Sequence, residues 1–232
     1  MNALDNPEKL TVPLRITRWF WANGVRLFLQ LYGGYYITGL QNIPKSGGVI
    51  CVANHASNID PLLAWSAVYR VRELHGIAKI ELWNNPVVAH FMNCMGSVSV
   101  TRGAADRTML KTTFALLEKG HAVGIFPEGT RSRDGRLQPA QPGLALIVKR
   151  SGAPVLPSAI LGTRAMMPPG KSFPKPAKLH MVFGEPIWFA PDTPKETVLR
   201  ETMEAIARLL TEAGEPTESP YLHPEVTCEV KN

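Results

Sequence analysis

The run Val49-Ile50-Cys51-Val52-Ala53 has the make-up of a buried strand, yet it stops at Asn54-His55-Ala56-Ser57-Asn58-Ile59-Asp60, and Pro61 then opens a second apolar run. An imidazole and a carboxylate thus stand five positions apart between two pieces of core. On one continuous helix that spacing would set them well apart around the axis. A loop leading into a helix removes the obstacle, because the turn can fold the imidazole back toward the carboxylate. A carboxylate bonded to one ring nitrogen fixes the tautomer, stabilises the imidazolium and leaves the other nitrogen free as a base. Base catalysis of this kind contributes roughly 10²- to 10⁴-fold. The competing reading is a polar turn before a capped helix, with Asp60 at the N-cap and Pro61 at the first helical position. The pair alone does not decide.

Three further polar groups follow apolar runs: Lys79-Ile80-Glu81-Leu82, Gly96-Ser97-Val98-Ser99-Val100-Thr101-Arg102 and Phe126-Pro127-Glu128-Gly129-Thr130-Arg131-Ser132. Lys79 and Arg102 each fall at or just past a strand, and singly each reads as a solvated strand-end charge. In the last group a glycine turn after a buried strand presents backbone N–H groups. Arg131 adds a fork-shaped cation suited to phosphate. A basic surface loop is the alternative there.

The elements that must position these groups alternate. Strands are expected over 36–38, 49–53, 76–80, 97–101, 122–126, 155–160 and 180–183, and helices over 61–69, 86–95, 106–119 and 144–150. A capping box, Thr193-Pro194-Lys195-Glu196, launches a last helix that runs to about Ala213. Such alternation predicts an α/β fold, a mostly parallel sheet flanked by helices. In such sheets ligands bind off the carboxyl ends of the strands, which would bring the four motifs to one end. Three regions are expected: 1–35 as an N-terminal membrane-association segment, 36–213 as the α/β domain, and 214–232 as a loosely ordered tail rich in Pro, Glu and Thr.

Of 232 residues, 45% are hydrophobic and 19% charged, which excludes wholesale disorder, and the formal charge of +6 favours an anionic partner. The cysteines Cys51, Cys94 and Cys228 are scattered, odd in number and without metal-ligand spacing, so neither a disulfide framework nor a zinc site is expected. A reducing, cytosolic setting follows. The first dozen residues lack the basic-then-apolar order of a secretory signal. No acidic residue occurs between Glu8 and Asp60. Within that stretch Leu14 to Tyr32 winds as an amphipathic helix, with Arg15, Arg18, Asn23, Arg26 and Gln30 on one side and Trp19, Phe20, Val25, Leu27, Phe28 and Leu31 over the rest. Its three arginines argue against a transmembrane span. A helix lying in an anionic membrane interface is expected, the alternative being a core helix with solvated arginines. Nucleic acid is not expected as a partner, because no recognised binding motif occurs and the cations cluster with Trp and Phe.

Taken together, these motifs identify a resemblance. The chain resembles the glycerolipid acyltransferase family, and most closely its 1-acyl-sn-glycerol-3-phosphate acyltransferases. The family's N-H-x4-D block matches Asn54, His55 and Asp60; K-x-E-L matches Lys79, Glu81 and Leu82; G-x5-R matches Gly96 and Arg102. F-P-E-G-T-R-S is complete from Phe126 to Ser132, and the apolar block around a proline resembles Val155 to Ile160. The likeness runs from about Tyr36 to Pro186. It implies acyl transfer from acyl-CoA or acyl-carrier protein to the sn-2 hydroxyl of 1-acyl-sn-glycerol 3-phosphate, making phosphatidic acid. No metal and no cofactor beyond the thioester co-substrate is implied. His55 would be the base and Asp60 its orienting partner. Lys79, Arg102 and Arg131 would hold the acceptor phosphate, and Asn54, Glu128, Gly129 and Thr130 would complete the substrate site. The setting implied is the cytoplasmic face of a membrane, with the protein bound peripherally. Glycerol 3-phosphate or another lysophospholipid is an alternative acceptor, and an acyl-thioester hydrolase is the alternative of a different class. G-x-S-x-G, H-E-x-x-H and G-x-G-x-x-G motifs are missing. Ala165 to Ser172 ends like a phosphate-binding loop, but Ala165 replaces its opening glycine and two prolines lack N–H donors, so it reads as a plain loop.

Overall fold

The computed structural model describes residues 12–100, 107–171 and 173–215. Seven strands form one sheet: β1 (Tyr35–Thr38), β2 (Val49–Ala53), β3 (Leu74–Lys79), β4 (Val98–Val100), β5 (Ala122–Ile125), β6 (Val155–Leu161) and β7 (Leu179–Phe183). Their order across the sheet is β1-β7-β6-β2-β5-β3-β4. From β6 to β4 all neighbours are parallel, while β7 runs antiparallel to β6 and carries β1 alongside it. The helices are α1 (Val12–Tyr32), α2 (Asp60–Val68), α3 (Pro86–Cys94), α4 (Arg107–Glu118), α5 (Gly143–Ser151), the single turn α6 (Thr163–Met166) and α7 (Lys195–Glu212). This is the mostly parallel, helix-flanked sheet that the alternation of elements predicts.

Strand β2 is buried at every position, as expected of a central parallel strand covered on both faces. Its side chains alternate between two cores. Val49, Cys51 and Ala53 face a cluster that includes Ala22 and Leu29 of α1, Leu63 and Trp65 of α2 and Met92 of α3. Ile50 and Val52 face a cluster built with Phe114 of α4, Leu144 and Ile147 of α5 and Ile206 of α7. Each fully buried Leu or Ile contributes about 1.5–3 kcal/mol. β2 hands on to β3 through α2, whereas β5, beside it, hands on to β6 through α5 in the opposite direction. The crevice between adjacent strands whose connections part is where α/β sheets bind ligands.

Two local expectations are corrected. Arg18 is not a solvated edge of α1: it is buried, and its guanidinium pairs with Glu73 at 3.0 Å. It turns inward because the buried stripe of α1 runs along Arg18, Ala22 and Leu29, which leaves Ile16, Phe20, Leu27 and Leu31 exposed. The Thr193–Glu196 pattern does not act as a capping box. Pro194 takes the cap position with extended ψ of 145°, and no side chain bonds a free N–H of α7.

Candidate active site

The loop after β2 turns so that His55 Nδ1 lies 2.8 Å from Asp60 Oδ2. Asp60 is wholly buried and is the first residue of α2, with Ile59 at the cap position, so the expected N-cap role is corrected. Its carboxylate points backwards instead. Oδ2 also accepts the backbone N–H groups of Ala56 (2.6 Å) and Ser57 (2.7 Å), which ties the turn and orients the ring together. A carboxylate can only accept here, so Nδ1 carries the proton and Nε2 is left as the basic nitrogen. The imidazole stacks on Phe126, with ring centroids 4.0 Å apart and planes 15° apart. Phe126 follows β5, so both sides of the topological crevice hold the ring.

The F-P-E-G-T-R-S segment grips His55 by its backbone as well. Glu128 Oε1 accepts the His55 N–H at 2.7 Å, and Ser132 donates its N–H to the His55 carbonyl at 2.7 Å. The other oxygen of Glu128 accepts the N–H of Gln138 at 2.9 Å. Glu128 is buried, and desolvation raises its pKa to about 7 against the opposing pull of those two hydrogen bonds. Both of its oxygens are engaged, so it braces the histidine loop, and it is not among the residues lining the large cavity beside His55. Asn54 is engaged likewise. Its amide donates to the Ile160 carbonyl (2.9 Å) and accepts the Ile160 N–H (2.8 Å), continuing the β2–β6 pairing beyond the strand. Gly129 has φ of +70° and gives its N–H to the Phe126 carbonyl. It and Thr130 sit in an exposed turn outside the cavity lining.

His55 opens onto a cavity of about 560 Å³ whose walls include Leu62, Trp65, Leu82, Val88, Phe91 and Met92. Lys79 and Arg131 also line it, from the end of β3 and from within the loop after β5. Arg131 is aimed by a 2.7 Å hydrogen bond to Asn58 Oδ1. The site thus combines a base, two cations and an apolar hollow. Arg102 lies outside the described residues. Gly96 does not line the cavity. With φ of +64° it packs where a Cβ would come within 2.8 Å of His75 Nδ1 and 3.1 Å of a guanidinium nitrogen of Arg18.

The sequence reading did not single out three groups. Phe126 holds the His55 ring, and an aromatic residue closing a buried strand beside a motif is a usable signal. Asn58, inside the N-H-x4-D block, positions Arg131. Ser158 lines the cavity with a buried hydroxyl that has no hydrogen-bond partner; nothing in its apolar surroundings marks it.

An arrangement of this kind can take a proton from a hydroxyl or water while holding an apolar chain and an anion. Residues 35–161 match the family model described as Acyltransferase, more than half of the molecule, and the chain belongs to the acyltransferase family. It is 29% identical to the 1-acyl-sn-glycerol-3-phosphate acyltransferase of Bacillus subtilis strain 168, over 72% of this chain and 81% of that protein. It is 37% identical to the chloroplastic 1-acyl-sn-glycerol-3-phosphate acyltransferase BAT2 of Brassica napus, over 58% of this chain and 39% of that one. The crystal structure of the 1-acyl-sn-glycerophosphate acyltransferase PlsC from Thermotoga maritima superposes with a TM-score of 0.74 at 27% identity, covering 89% of this chain and 85% of that one.

Proposed function

We propose that this acyltransferase moves a fatty acyl group from acyl-CoA or acyl-carrier protein to the sn-2 hydroxyl of 1-acyl-sn-glycerol 3-phosphate, making phosphatidic acid. His55 Nε2 takes the hydroxyl proton as the oxygen attacks the thioester carbonyl. The tetrahedral adduct then collapses, the C–S bond breaks, and the thiolate leaves with the proton returned by the imidazolium. Asp60 holds the ring in the reactive tautomer and balances its charge. Lys79 and Arg131 bind the acceptor phosphate, joined by Arg102 on the strength of its G-x5-R motif. The acyl chain occupies the hollow beside Trp65 and Phe91. The single observation that carries this reading is the 2.8 Å His55–Asp60 bond at the mouth of an apolar cavity that two cations share.

The enzyme works bound peripherally to the cytoplasmic face of a membrane. Support comes from the exposed Ile16, Phe20, Leu27 and Leu31 on α1, in a stretch of chain without acids. No helix among the described residues is long and apolar enough to cross a membrane. Purified protein given labelled acyl-CoA, with and without lysophosphatidate, tests the reaction. Acceptor-dependent formation of labelled phosphatidate is expected, whereas equal thioester loss in both arms would make the protein a hydrolase. Glycerol 3-phosphate and other lysophospholipids in the same assay define the acceptor.

A further inference from the structure

A second cleft, of about 420 Å³, lies between α1 and the edge strand β1, and Arg26, Arg70, Asn23, Gln30, Leu27 and Tyr36 line it. It shares no lining residue with the cavity beside His55. Two guanidinium groups face it, and none of its lining residues is acidic. Arg26 bonds to the neutral Asn23 Oδ1 at 3.3 Å. Among the described residues no carboxylate forms an ion pair with Arg26 or Arg70. Both charges reach Tyr35 in the floor, whose hydroxyl donates to the Leu63 carbonyl. The cleft is therefore a concentration of uncompensated positive charge with a preformed wall.

Its place on α1 names the ligand. Ile16, Phe20, Leu27 and Leu31 form the exposed apolar stripe of the helix. At helical spacing Asn23 and Gln30 come next around the axis, and Arg26 follows them. A helix lying in a membrane interface orders its groups in this way, with apolar residues toward the acyl chains and cations at the phosphate level. Exposed Tyr36, held in a stack on His180 with ring centroids 4.1 Å apart, adds an aromatic rim of the kind enriched at that depth. We infer that this cleft binds the phosphate of an anionic phospholipid between Arg26 and Arg70, with the lipid's chains lying along Leu27 and Leu31. It is a lipid site separate from the acceptor site. The inference rests on the reading that the enzyme works at a membrane surface. A lipid held there fixes the rotation of α1 about its axis, and with it the face the enzyme turns to the bilayer.

Vesicle co-sedimentation tests the site, using phosphatidylcholine vesicles with and without phosphatidylglycerol. Two cations near an anionic surface are worth roughly thirty-fold in partition. Arg26→Gln/Arg70→Gln is expected to lose most of that preference for anionic vesicles while keeping wild-type turnover on detergent-dispersed substrate. Lys195→Gln/Arg208→Gln removes equal charge from α7, on the opposite side of the sheet, and should lose little. Equal losses in the two variants mean diffuse attraction and overturn the site. Arg70→Gln alone, at an exposed position, is expected to lose about fivefold, which keeps the test open if the double variant unfolds; no loss overturns the site. Inorganic phosphate at constant ionic strength should leave the wild-type preference intact, and displacement by it would make this a free-phosphate site instead. Wild-type protein that sediments with no vesicle removes the membrane reading and the site together. Vesicle binding is read separately from turnover, so a loss of binding in any arm leaves the acyl-transfer assignment standing.

Discussion

His55 is held by its backbone as firmly as by its ring. Asp60 fixes the imidazole, Glu128 and Ser132 clamp the peptide on either side, and Phe126 covers one face. Asp60→Asn keeps one acceptor oxygen for the turn but removes the charge that stabilises the imidazolium. Turnover should fall by at least roughly 10²-fold in a folded protein whose acceptor KM changes little; near-normal kcat in a steady-state assay would contradict the dyad. Glu128→Gln should also lower kcat more than it raises KM, because it leaves a donor facing a buried N–H. Its effect on stability depends on pH. Burial raises the Glu128 pKa from 4.5 to about 7, so the folded state binds the extra proton and the resulting stability is lost as pH rises through that range. His75, buried with its pKa lowered from 6.5 to about 4, does the opposite, and its stabilisation is lost as pH falls. The two offset each other in the wild type between about pH 4.5 and 6.5. Urea unfolding of Glu128→Gln should therefore show stability rising with pH across that window more steeply than in wild type, and parallel profiles would contradict the assignment.

Elements meet through a few polar ties. Arg18 of α1 reaches Glu73 just before β3, beside the Gly96 that precedes β4. The pair is asymmetric, with Arg18 at 8% side-chain exposure and Glu73 at 35%. Removing Glu73 strands a buried guanidinium, whereas removing Arg18 leaves a carboxylate that water can reach. Glu73→Ala should cost about 3 kcal/mol, the range for a broken buried pair, and Arg18→Met distinctly less. Equal losses in urea titrations would count against the buried-charge explanation. These ties were not legible in the sequence. A helical projection groups Arg18 with Arg15 and Arg26, but it cannot say which side docks, and the partner lies in a distant turn. The Thr193–Glu196 pattern fits a capping box by residue type, yet extended backbone at Pro194 takes the cap position.

Across the whole molecule, one face of the sheet carries polar-surfaced helices and the other carries α1 with its apolar stripe outward. Phe20 is 64% and Leu31 79% exposed, so neither supports the fold. Phe20→Glu/Leu31→Glu should abolish vesicle co-sedimentation with Tm nearly unchanged, and retained binding would remove α1 as the membrane contact. Removing the helix outright is a poorer test, since Ala22 and Leu29 belong to the core. The sheet and its layers were legible because buried parallel strands and amphipathic helices differ in period and alternate in order. The meeting of the N-H-x4-D, K-x-E-L and F-P-E-G-T-R-S motifs was legible because such sheets bind at their strand ends. The division of labour within the motifs was not. Asn54 and Glu128 have the same functional groups as ligand-binding residues, and only folded geometry reveals that Ile160, His55 and Gln138 already occupy them.

The most direct test of the account is the rate of labelled phosphatidate formation from acyl-CoA and lysophosphatidate by His55→Ala beside wild type. Rapid, acceptor-dependent synthesis by the wild type is predicted, with a loss of at least roughly 10²-fold in a variant that keeps the wild-type circular dichroism and melting curve. Synthesis at near wild-type rate by the variant would contradict it.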